Sequence, residues 1–140
     1  MAQVTDPILL DSTGQSILAK LGDINTSIQG LADIGSNANG VYAKFTNGLM
    51  ICYKKKDASV TFSSWGNMYE SSVISLGDFA AAFDEVPVVM ATLNNSPSAA
   101  WCGTVANITE SSNGTMRVYR PNNPGTISIT VGLLAVGRWQ

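Results

Sequence analysis

Thr126-Ile-Ser-Ile-Thr-Val-Gly-Leu-Leu-Ala-Val-Gly-Arg-Trp-Gln140 is the stretch whose reading decides the fold class. Ile127, Ile129, Val131 and Leu133 recur at every second residue, the period of a strand with one buried face. A terminal segment normally frays unless its backbone groups find partners. A run ending in Val-Gly-Arg-Trp is therefore expected to be a central strand, with neighbours on both edges.

The preceding ~100 residues are expected to supply those neighbours, as short β-type runs separated by turn residues at intervals of roughly 8–12. Val41-Tyr-Ala-Lys-Phe-Thr46 and Leu49-Met-Ile-Cys-Tyr-Lys54 flank Asn47-Gly48, the strongest short signal for a hairpin, with a type I′ turn expected. Ala58-Ser-Val-Thr-Phe-Ser63 and Val73-Ile-Ser-Leu76 read as strands joined by an aromatic connection over 64–72. Val88-Val-Met-Ala-Thr-Leu93 is almost continuously apolar and is expected to be buried on both faces. Runs over 100–108 and 115–120 flank a reversal at Asn113-Gly114. Residues 77–87 fit either a turn of Ala-rich helix or an irregular crossing loop, since Pro87 limits where a helix can end. Seven or eight short strands with this spacing predict an antiparallel β-sandwich over 41–140.

The segment before Gly35 has a different period. Ile17, Leu21, Ile24, Ile28 and Leu31 follow one another at alternating steps of four and three residues, the a/d seam of a coiled coil. Leu21 and Ile28 take the a positions; Ile17, Ile24 and Leu31 take d. Ile at d moves the preference from two strands toward three or four, so residues 1–34 are expected to be a helix that assembles three or four copies of the chain. An amphipathic helix folded back onto its own domain is the alternative. Gly35-Ser-Asn-Ala-Asn-Gly40, small and polar, reads as a hinge over 35–40.

Composition narrows the function. Only 13% of the 140 residues are charged and the net charge is −2, so there is no positive field for a phosphate backbone and no nucleic-acid partner is expected. Lys54-Lys55-Lys56 reads as a solvated hairpin end or a charged strand edge that discourages aggregation. The N-terminus has no secretory signal, and no window approaches the ~18 apolar residues of a membrane span. Cys52 and Cys102 lie in apolar runs and read as buried free thiols. With no histidine in the chain, no metal site, no cofactor and no Ser-His or Cys-His catalysis is expected. Carboxylates remain. Asp84-Glu85, with Asp78 or Glu70, is the candidate pair for a polysaccharide hydrolase, but adjacent side chains point apart while a glycosidase needs two carboxyls facing each other across the sugar.

Binding asks for less. Aromatic rings stack on the apolar faces of sugars while Arg, Asn and Asp bond the hydroxyls. Trp65, Tyr69, Trp101, Arg117, Tyr119 and Arg120 supply those types. Trp65 and Tyr69, beside Gly66 and Asn67, are expected to be exposed; Trp101, mid-strand beside Cys102, reads as core, and Trp139 as core or interface. Arg117 and Tyr119 share one face of their strand, Val118 and Arg120 the other.

The Asn-Gly hairpin, Phe79 and Phe83 before Val86-Pro-Val-Val-Met, the closing Ala-Val-Gly-Arg-Trp and the preceding Leu-Asp-Ser-Thr-Gly-Gln with its short seam together resemble the C-terminal tip domain of bacteriophage and prophage tail-fibre proteins. The resemblance spans essentially the whole chain. It implies an H-type lectin-like β-sandwich, a homotrimer at the distal end of a fibre, and attachment to a host cell-surface glycan, with other tail proteins joined through the N-terminus and the virion tail as location. It also implies that sugars are held by aromatic and Arg side chains of late strands, here Arg117-Val-Tyr-Arg120, with no catalysis. A purely structural tail or baseplate component is the alternative.

Overall fold

The computed structural model describes residues 30–96 and 99–140. Among the described residues there is no helix; the chain is mainly β and every strand pairing is antiparallel. The strands are β1 (Leu31–Asn37), β2 (Gly40–Phe45), β3 (Leu49–Trp65), β4 (Met68–Ser71), β5 (Ile74–Ser75), β6 (Val88–Asn95), β7 (Trp101–Cys102), β8 (Thr115–Met116), β9 (Val118–Arg120) and β10 (Thr126–Arg138).

β10 is the central strand that its alternation predicts. It pairs with β3 from Thr126↔Thr61 to Arg138↔Leu49, and on its other edge with β6. Ile129, Val131, Leu133 and Ala135 point inward and are buried. Each such aliphatic side chain contributes roughly 1.5–3 kcal/mol by leaving water. Ile129, Val131 and Leu133 meet Val60, Phe62, Ile74, Leu76, Met116 and Val118 in the larger core cluster. Ala135 meets Met50, Cys52, Phe79 and Phe83 in the smaller one. There Phe79 and Phe83 stand edge to face, ring centres 4.9 Å apart, and the Trp139 indole donates to the Phe45 carbonyl at 3.0 Å. Trp139 thus packs on the core as expected.

β3 is 17 residues long and divides its partners. Near its start it pairs with β2, and at its end with β4, which continues through β9 to β7. The three lysines sit in the middle of β3 and not at a hairpin end. Lys54 lies partly buried, and desolvation, with Lys56 second, lowers its pKa; its ammonium donates to the Asp78 carbonyl at 3.4 Å.

Several expectations are corrected. Leu31 is not a helical d residue: Leu31–Asn37 is a strand paired with β2, so neither the helix end nor the 35–40 hinge is present. Gly35 and Gly40, which suggested flexibility, serve close packing instead. A Cβ on Gly35 would lie 2.7 Å from the Tyr42 hydroxyl, and one on Gly40, at φ +124°, 2.3 Å from the Tyr53 carbonyl oxygen. The remaining seam residues, Ile17, Leu21, Ile24 and Ile28, lie outside the described residues.

The Asn47-Gly48 hairpin forms, though only Gly48 has positive φ. Gly48 N–H donates to the Phe45 carbonyl, and the Asn47 side chain accepts from Leu49 N–H. This is the longer hairpin loop that ends on a left-handed glycine, not a type I′ turn. Residues 77–87 are an irregular crossing that delivers Phe79 and Phe83 to the core. β6 is buried on one face alone: Val89, Ala91 and Leu93 pack inward, while Val88 is 69% and Met90 51% exposed. Of the run over 100–108, only Trp101–Cys102 is strand.

Candidate functional site

The far half of β3 and strands β4, β9 and β7 lie side by side, and their registers sort the side chains by face. Trp65 pairs with Met68, Glu70 with Tyr119, and Tyr119 with Trp101. Paired residues in an antiparallel ladder share a face, as do residues two apart, so Trp65, Met68, Glu70, Trp101 and Tyr119 all stand outward. Tyr69, Ser71, Val118 and Arg120 face in.

The outward side chains line an open groove of about 420 Å³, with Trp65, Met68, Trp101 and Tyr119 as its walls and Cys102, Gly103 and Thr104 completing it. Trp65 is 55% and Trp101 47% exposed. Trp65 and Tyr119 lie with ring centres 5.3 Å apart and planes tilted by 48°. Gly103 lets the phenol sit close: a Cβ there would be 2.6 Å from Tyr119 Cε2. Cys102, paired with inward Val118, turns its thiol to the core, and burial raises its pKa.

Beside the rings is a fixed charge pair. Arg117 Nη1 lies 2.9 Å from Glu70 Oε1 and donates to the Ser71 carbonyl at 3.1 Å. Ser71, fully buried, accepts from Val118 N–H at 2.9 Å and donates to the Ser72 carbonyl at 2.8 Å. One hydroxyl thereby ties β4 to the strand that carries Arg117 and Tyr119. Past Tyr119 lies a second depression of about 190 Å³, lined by Val73, Ala106, Thr115 and Arg117 and sharing Thr104 and Tyr119 with the groove. Two adjoining depressions, aromatic then polar, suit an elongated polar ligand with apolar faces.

The structure brings together three of the five side chains singled out from sequence: Trp65, Arg117 and Tyr119. It does not bring Tyr69 and Arg120 to this surface. Tyr69 packs against the larger core cluster. Arg120 is 2% exposed, its guanidinium carbon 5.8 Å from the centre of the Phe62 ring, and among the described residues no acceptor bonds its Nε or Nη1. The predicted division of faces, Arg117 with Tyr119 and Val118 with Arg120, is what excludes Arg120 from the groove.

Met68 and Gly103 are groove residues not recognised in the sequence, where Trp101 is read as core and Glu70, which stands beside the groove, only as a hydrolase candidate. β7 is a two-residue strand at the sheet's end, and among the described residues Trp101 stays 47% exposed. The signal for Met68 is present: Gly66-Asn67 between two strand-like runs is a hairpin turn, which places Met68 opposite Trp65. Asp78, Asp84 and Glu85 are exposed and do not line the groove.

The class defined at this point is an all-antiparallel β domain with an aromatic groove at one end of its long strand. No protein-family model matches the sequence, and no curated protein does either. Two solved structures overlap it. The chain is similar to an N-truncated R1-type pyocin tail fibre at 13% identity and a TM-score of 0.47, over 83% of this chain and 94% of that one. It is also similar to the C-terminal part of the P. aeruginosa R1 pyocin fibre at 14% identity and a TM-score of 0.47, over 92% of this chain and 34% of that one.

Proposed function

We propose that this chain is the receptor-binding tip of a phage or prophage tail fibre, located in the virion tail, and that it attaches as a homotrimer to a host cell-surface glycan without catalysis. The sequence resemblance supplies the fibre context. The observation that carries the binding role is the groove: two tryptophans and a tyrosine held open to solvent beside an oriented Arg117–Glu70 pair. Exposed aromatic rings cost solvation unless a ligand covers them, and this mixture of ring faces and charge suits a carbohydrate better than an apolar molecule. The fold that goes with this reading is an H-type lectin-like sandwich, and the packing of Ile74 and Met116, from β5 and β8, against the inner face of β3 and β10 supports it.

Titration of the full chain with host surface polysaccharide, followed by tryptophan fluorescence and calorimetry, tests the reading. Trp65→Ala and Tyr119→Ala should each weaken binding about five- to thirtyfold, the loss of roughly 1–2 kcal/mol of ring contact, with the melting temperature little changed for Trp65→Ala. Binding that survives both substitutions places the site elsewhere. A folded protein that binds no surface polysaccharide favours the structural tail component.

A further inference from the structure

The sheet has a second outward surface, at the opposite end of β3, and it is aliphatic. Registers align Ile34, Ala43, Ile51, Val136 and Val88 in one row across β1, β2, β3, β10 and β6. The next row, on the same face, is Val41, Tyr53, Leu134 and Met90. Five strands at ~4.8 Å spacing make this surface nearly 20 Å wide. Ile34, Val41, Tyr53, Val88 and Met90 are all among the exposed large apolar residues. Beyond the second row Gly132 leaves an indentation of about 320 Å³ between Tyr53, Met90, Thr92 and Asn94. A contiguous apolar face of this kind on a soluble domain marks a protein–protein contact.

We propose that this face is the contact between copies of this chain, which rests on the self-association part of the reading above and adds where the copies meet. Three features select a second copy as the occupant. First, the rim is self-complementary in charge: Lys55 and Asp57 stand two residues apart on β3, on the side of Tyr53, so a two-fold or three-fold neighbour can set one against the other with no net charge buried. Second, the 29 residues preceding the described region carry a sequence seam suited to identical partners and lead into Leu31, the first residue of the strand that begins this five-strand face. Third, the face is aliphatic apart from Tyr53 and carries no buried polar anchor, the composition of a lasting subunit contact and not of a transient polar ligand site.

The test uses the full chain. Two single variants, Met90→Cys on the face and Val73→Cys at an equally exposed position away from it, are alkylated and followed peptide by peptide. In the assembled protein the thiol introduced at position 90 should react about tenfold more slowly than the one introduced at position 73. Val88→Glu/Met90→Glu, changed where the single chain leaves both residues exposed, should keep its β-sheet circular dichroism. It should associate about 100-fold more weakly by sedimentation, because two uncompensated charges enter an apolar contact. Equal alkylation of the two introduced thiols overturns the proposal. So does an unchanged mass for the double variant, which would leave self-association standing but move it to another surface. A wild-type chain that sediments as a monomer removes self-association altogether, and protection of position 90 in such a monomer identifies the chain's own first 29 residues as the cover.

Discussion

β3 carries two exposed apolar surfaces, one at each end, and they differ in kind. Near Ile51 and Tyr53 the surface is mostly aliphatic and broad, with charge only at its rim. Near Trp65 it is aromatic, narrow, and accompanied by an Arg117–Glu70 pair held 2.9 Å apart. The difference teaches that exposure alone does not define a site: branched aliphatics in rows fit another ordered protein surface, whereas separated rings beside oriented polar groups fit a hydroxylated ligand. Both surfaces hang on one buried spine, the inward residues of β3 and β10.

That common spine gives the largest expected effect. Leu133→Ala should cost about 2–5 kcal/mol, and because its cluster lies between the two surfaces, groove and aliphatic face should be lost in one thermal transition. Separate melting, read by tryptophan fluorescence for the groove and by circular dichroism for the sheet, would break the comparison by showing two units. A smaller and local effect is expected for Ser71→Ala. Removing the hydroxyl that accepts from Val118 N–H should cost about 1–3 kcal/mol and speed amide exchange at Val118 and Arg120, with no change at Tyr53 or Leu134. The smallest effect belongs to Arg120→Met. A buried guanidinium without full pairing gains little from the fold, and an apolar residue of similar length is often neutral or better. The melting temperature should hold or rise, while a fall of several degrees would show that Arg120 supports the groove from beneath.

Much of this fold is legible in the sequence because it depends on local periodicity. The alternation of Ile127, Ile129, Val131 and Leu133 identifies a central strand, and Asn47-Gly48 identifies the hairpin of β2 and β3. The face rule at Arg117–Arg120 also holds. What is not legible depends on which element covers which. Val88 and Met90 look no different in sequence from Val89 and Ala91, and they are exposed because no layer among the described residues covers them. Trp101 beside Cys102 has the same ambiguity. Leu31 is a strand residue and not a heptad one because it pairs with Phe45 across β1 and β2.

The uninterrupted β3 has one more consequence, a mechanical one. Its 17 residues, at ~3.3 Å each, form a tie more than 50 Å long, with the groove at one end and β2, leading back to Leu31, at the other. A tension applied between the groove and Leu31 runs along that tie, parallel to the strands. The ladders joining β1 to β2 and β2 to β3 are then loaded in shear, their rungs sharing the force at once, whereas a pull across the sheet would open them one after another.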